Sequence, residues 1–200
     1  MSRSALALGR FDLIDARRTS VESFAPEIRF HAGDTMAARF GLFLSVLLLG
    51  YSTATVRAET PEEWASVLSR VHGGFGSFLP VGIRIGEDAM KRLNSKPREM
   101  PVLFYQGEGT PCPCAADGVM LAVYASPGQG TLQIASERSP TGSFATVVIK
   151  PRKSGPGLKY TVPMSFMSKL GQINSTIQDP VERYKAVMAL PDLFEVEAAK

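Results

Sequence analysis

The stretch VHGGFGSFLPVGIRIG, Val71 to Gly86, sets a histidine at a glycine-loosened turn just ahead of an apolar helix. His72 is followed at once by Gly73 and Gly74, with Gly76 close behind. Glycine admits positive φ and lets a backbone or a ligand come close. Imidazole is the commonest protein metal ligand and titrates near neutrality. His72 is therefore a candidate ligand or catalytic group; the plainer reading is a hydrogen-bonded structural residue at a turn. Downstream, the spacing predicts a helix from about Leu79 to Leu93, with Val81, Ile85, Ala89 and Leu93 four apart and Glu87, Asp88, Lys91 and Arg92 on the wet side. Gly82 and Gly86 share one face of that helix. Each costs about 1 kcal/mol against alanine, so the expected reason for them is close packing against another backbone or a ligand.

Upstream, Thr60-Pro61-Glu62-Glu63 reads as a helix start. Thr60 can cap, Pro61 fits the first helical position, and Glu63 completes a capping box. Trp64, Val67, Leu68 and Val71 then fall on one face, which takes the helix to about Val71 and delivers His72 at its carbonyl end. That end modestly favours a protonated imidazole.

The first 58 residues read differently. Residues 1–35 are rich in Arg and Ser and lack a sustained apolar period; they read as a mis-assigned or disordered extension, with His31 carrying no role. Residues 36–58, MAARFGLFLSVLLLGYSTATVRA, have a short positive start at Arg39, an apolar run and small residues at Val56 and Ala58. This is the pattern of a secretory signal peptide, and its apolar run is shorter than the roughly 20 residues a bilayer span needs. The expectation is an exported protein, periplasmic or extracellular, with a mature domain over 59–200 and no membrane span after cleavage. Removing the 7 Lys/Arg and 5 Asp/Glu before Glu59 from totals of 22 and 19 leaves 15 and 14. The mature chain is nearly neutral, so its charge offers nothing to nucleic acid. Export would place the two cysteines, Cys112 and Cys114, in an oxidising compartment.

The rest alternates short strands and helices. Val102 to Tyr105 reads as a strand ended by Gly107 and Gly109; a loop to Pro113 leads into Cys114 and a helix from Ala115 to Tyr124, with Asp117 in its first turn. Ser126 to Gly130 breaks the chain. Thr131 to Ser136 and Phe144 to Ile149 are expected to pair as a hairpin, Tyr160 to Met167 is partly extended, and Asp179-Pro180 opens a helix to Leu190. Leu193 to Val196 docks as a short final strand. The fold class is α+β: one compact domain, with helices packed on a small mixed or antiparallel sheet.

Three pieces taken together, His72-Gly73, Cys114-x-x-Asp117-Gly118 and Ser126 to Leu132, give CAADGVMLAVYASPGQGTL its meaning. The chain resembles the FmdE family, named for a component of formylmethanofuran dehydrogenase, whose members read HGH near the start, then a small-residue helix, then C-x-x-D-A-I-Q and, eight residues after the Asp, C-T-x-G-K-G-N-L. The ending LPDLFEV is also similar. The resemblance covers most of Thr60 to Val196. The family's second histidine falls on Gly74, its second cysteine on Ala125 and its lysine on Gln129. The C-terminal zinc ribbon of some members is missing, since no cysteine follows Cys114.

The resemblance implies a metal site, and His72, Cys114 and Asp117 are the matching positions that survive. Cys112 is an additional thiol beside them. Thiolate, imidazole and carboxylate suit Zn²⁺ with an open position, and ligands of this kind would also suit Cu or Fe. Gly73, Gly74, Gly128, Gln129 and Gly130 are expected to shape the pocket. The readings left open are a metal site, a Cys112–Cys114 disulfide or redox pair, and inert thiols. They correspond to an exported module binding a metal or small molecule, to a thiol enzyme with His72 as base, and to a non-catalytic partner-binding protein with a decayed site. The resemblance also implies that a homodimer is allowed, and it does not license formyl chemistry, which belongs to other components of that enzyme.

Overall fold

The computed structural model describes residues 59–199; the expected extension at 1–35 and the expected signal peptide at 36–58 lie outside the described residues. The described chain begins with helix α1, Pro61–His72. Thr60 Oγ1 accepts the Glu63 N–H at 3.2 Å, and the Glu63 carboxylate accepts the Thr60 N–H at 2.7 Å. Two of the free amides of a helix start are thereby satisfied. Trp64, Ala65 and Leu68 form its buried face.

Helix α2, Leu79–Leu93, follows a short turn and ends on Asn94 in the left-handed region. It is the central helix because it is apolar on two sides. Val81, Ile85 and Ala89 point to the sheet-side core, among Val102, Phe104, Val147, Ile149 and Tyr160. Leu79 and Ile83 join a second core with Trp64, Leu68, Phe75, Tyr184 and Cys114. Full burial of Leu79, Val81, Ile83 and Ile85 contributes about 1.5–3 kcal/mol each.

The remaining elements are β1 (Val102–Gln106), α3 (Cys114–Val123), a 3₁₀ turn (Pro127–Gln129), β2 (Leu132–Ile134), β3 (Ser143–Ile149), β4 (Gly157–Pro163), α4 (Phe166–Thr176), α5 (Pro180–Met188) and β5 (Glu195–Ala199). They build one five-stranded mixed sheet in the order β2-β1-β3-β4-β5. β1 pairs antiparallel with β3, Phe104 opposite Val147; β3 with β4, Val147 opposite Tyr160; and β4 with β5, Tyr160 opposite Val196. The expected α+β class, with helices on a small mixed sheet, is the observed one.

Two features depart from the sequence reading. β2 does not form a hairpin with β3. It lies parallel to β1, Val102 opposite Leu132, because the chain returns through α3 as a crossover. A parallel pair needs such a crossover, and a helix usually supplies it. The Val102 amide already donates to the Thr131 carbonyl at 2.7 Å as β2 begins. The second departure is α4, an additional helix that begins at Phe166, within the end of the Tyr160 to Met167 segment expected to be partly extended, and runs to Thr176. It anchors through buried Leu170 and Ile173 and starts at Ser165 with no side-chain cap.

The glycines of α2 serve the close approach their cost implied. A Cβ on Gly82 would run into the Ala115 carbonyl oxygen and come within 2.6 Å of the Val119 nitrogen; a Cβ on Gly118 would meet Leu79 O and the Gly82 Cα. Gly82 and Gly118 thus face each other, and α2 and α3 touch backbone to backbone. Among the described residues no helix is long and apolar enough to cross a membrane.

Candidate metal centre

Two helix ends of opposite polarity meet at the site. α1 arrives with its carbonyl end and carries His72 as its last residue. Gly73 then takes φ +85°, a left-handed value that a side chain would resist, and its N–H closes onto the Ser69 carbonyl at 3.0 Å. α3 arrives with its amide end and carries Cys114 as its first residue and Asp117 in its first turn. A histidine suits the first kind of end, and a carboxylate or thiolate the second.

His72 Nδ1 and Asp117 Oδ2 are 2.7 Å apart. Their side chains are 29 % and 33 % exposed, so the pair sits at the mouth of the site rather than in its floor. With Nδ1–H donating to the carboxylate, Nε2 is the ring nitrogen left with a lone pair. A carboxylate that fixes the tautomer of a ligating histidine is a recurring arrangement at metal sites. Asp117 is accordingly placed to orient His72.

The ligating atoms of His72, Cys112 and Cys114 lie within 4.8 Å of one another. Donors on one tetrahedral zinc, with bonds of about 2.0–2.3 Å, stand about 3.5–3.8 Å apart, so this set could converge on one ion once the bond between the two sulfurs is reduced. The donor chemistry fits as well: two thiolates and an imidazole are borderline-to-soft ligands of the kind that zinc and copper select. Cys112 and Cys114 are bonded to each other, with Cα atoms 5.2 Å apart. Cys114 is buried in the second core, whereas Cys112 is half-buried in the loop ahead of α3.

A hollow of about 200 Å³ opens over these residues. Besides His72, Asp117 and the two cysteines, its walls are largely apolar: Pro113, Ala116, Met120, Pro127, Leu132 and Ile134. The sequence signal for the apolar wall was weak, because Leu132 and Ile134 reach the site only through the parallel placement of β2. Of the 3₁₀ turn, Pro127 reaches the hollow while Gly128, Gln129 and Gly130 are exposed. Gly130 provides the turn's left-handed end at φ +64°, and Ser126 Oγ accepts the Gln129 N–H at 3.2 Å. Gly73 acts as the cap of α1, and a Cβ on Gly74 would meet nothing within 4 Å.

The family model described as FmdE, molybdenum formylmethanofuran dehydrogenase operon, matches residues 71–192. The chain belongs to the FmdE family. No curated protein matches it. The matched span opens one residue before His72 and takes in both cysteines, Asp117 and the whole sheet up to β4. This FmdE-family domain therefore holds a His/Cys/Cys group that could bind a metal ion.

Proposed function

We propose that this FmdE-family domain is an exported metal-binding module, with His72, Cys112 and Cys114 as ligands and Asp117 holding His72 in its ligating tautomer. Zinc is the ion the donor set suits best. The observation that carries the reading is the gathering of three ligating atoms within 4.8 Å from two elements 40 residues apart in sequence. Three protein donors would leave a further position open on a bound ion, and the largely apolar hollow lined by the same residues suits a small molecule with one polar, metal-seeking end. A bound zinc would supply Lewis acidity there and lower the pKa of a coordinated group. The protein's own part is to fix His72 through Asp117, to keep Cys114 at an amide-rich helix end, and to limit water with Met120, Leu132 and Ile134. Export rests on the signal-like segment at 36–58.

The test is metal analysis of the full chain, produced in a bacterial host and purified under reduction without chelators or a histidine tag. About one equivalent of zinc is expected, lost in His72→Ala and in Cys114→Ser. A reduced, folded protein that takes up no metal would overturn the reading. The mass of the protein recovered outside the cytoplasm reports on export, with cleavage after Ala58 as the expected product.

A further inference from the structure

The two sulfurs that complete the donor group with His72 are also the two that bond to each other. We propose that Cys112 and Cys114 are a reversible oxidation site whose conversion to the disulfide ejects the metal. The inference rests on the metal-binding reading above. A metal ligand must be a deprotonated thiolate. Once the sulfurs share a bond neither has that charge, and His72 alone remains. Metal-loaded dithiolate and metal-free disulfide are thus exclusive states of one site.

The surroundings divide the roles of the two cysteines. Cys112 is half-buried between Pro111 and Pro113, in the loop, and is the sulfur that an outside reagent meets. Cys114 is only 8 % exposed and is the first residue of α3. Attack by an outside thiol or disulfide therefore falls on Cys112 Sγ, and Cys114 is the shielded partner that closes or leaves the bond. In oxidation, the Cys112 thiolate attacks one sulfur of an external disulfide, such as a low-molecular-weight disulfide or an oxidised dithiol protein, and releases one external thiolate. The Cys114 thiolate then attacks Cys112 Sγ and releases the second. The pair loses two electrons, the external disulfide gains two, and the divalent ion leaves as the two external thiolates appear, so charge is conserved. Reduction runs the same steps backward, with attack at Cys112 and Cys114 as the leaving group.

The pair also suits a switch better than a staple. Its partners are separated by two positions in sequence. So short a closed loop removes little entropy from the unfolded chain. The fold is held by its two cores, and opening the bond leaves them in place.

The experiment uses the full chain, reduced with a phosphine, loaded with one equivalent of zinc, and titrated anaerobically with oxidised glutathione. Released zinc is read with a chromogenic indicator, free thiols by alkylation and mass, and folding by circular dichroism. The expected result is one zinc freed for each two thiols lost, an intramolecular disulfide as product, and recovery on adding phosphine. Affinity in the oxidised form falls at least about 100-fold, the upper end of the cost of losing even an outer-shell partner. In Cys112→Ser, the remaining thiol is expected to react with oxidised glutathione much more slowly and to stop at a mixed disulfide, releasing one glutathione thiolate. Zinc retained while both thiols are consumed, or thiols that resist oxidation while zinc stays bound, would overturn the proposal and leave the metal reading standing. Reduced protein that binds no zinc would overturn both.

Discussion

Replacing Gly82 with alanine puts one methyl group where two helix backbones meet. The new Cβ would collide with the Ala115 carbonyl oxygen and lie 2.6 Å from the Val119 nitrogen. Both obstacles are main-chain atoms, so no rotamer change relieves them; α2 and α3 must part by roughly an ångström, enough to forfeit a quarter to a half of each dispersion contact along the seam. Overpacking of this kind costs about 1–3 kcal/mol and occasionally more, and the rigid obstacles place it at the upper end. Alanine returns about 1 kcal/mol of helix propensity. The net is a loss of about 2 kcal/mol, or a fall in Tm of about 6–10 °C for a domain of this size. Gly171→Ala supplies the contrast. It lies exposed within α4, and a Cβ there meets nothing within 4 Å. Only the propensity gain remains, so its Tm should rise by a few degrees. Thermal unfolding followed by circular dichroism, on reduced and metal-free protein to keep ligand linkage out of the comparison, measures both. A Gly82→Ala protein that melts at or above the parent would refute the close-seam argument.

Three other outcomes are expected. Asp117→Ala should weaken zinc binding by about 10–100-fold with little change in Tm, and Asp117→Asn, which keeps an acceptor for Nδ1–H, should lose less; competition with a zinc chelator measures both. Thr60→Ala removes the acceptor for the Glu63 amide and should cost about 1 kcal/mol, read from denaturant midpoints. Burial pushes the Glu87 carboxyl above its ordinary 4.5, with the Trp64 indole N–H partly opposing and Glu59 adding to the rise. The folded state then holds that proton more tightly than the unfolded one, so stability falls as pH climbs from 4.5 through the raised value. Glu87→Gln should therefore match the parent below pH 4.5 and exceed it at neutral pH; equal stability of the two proteins across that range would remove the burial argument.

Much of the fold was written in local chemistry. The Thr60/Glu63 box and the Asp179-Pro180 start each define a helix by a side chain that reaches an amide three residues on, a distance visible in any sequence. The glycine pattern of α2 announced a close neighbour, and Gly118 in α3 is that neighbour. α4 was hidden for the opposite reason: no capping side chain, no acid in its first turn, and only Leu170 and Ile173 buried. The strand pairing was hidden because Ser139-Pro140-Thr141-Gly142 signals a turn without saying which strands it serves. At the site, His72, Cys112 and Cys114 stand out by residue type. That Asp117 meets His72 across 45 positions depends on how α1 and α3 cross, and the apolar wall depends on the position of β2. Neither relation has a local signature.

Helix α3 carries Cys114, Asp117 and Gly118 within its first five residues, and this ties the site to the architecture in phase as well as in space. Inserting one residue after Cys114 would turn the rest of the helix by about 100° relative to it. Asp117 would swing away from His72, and Gly118 would swing away from Gly82, in the same stroke. The loop from Gly107 to Pro113 carries no such phase, so insertions near exposed Glu108 and Gly109 should pass with little effect. The domain can thus vary in length around its candidate site, while the ten residues of α3 must be kept or lost together.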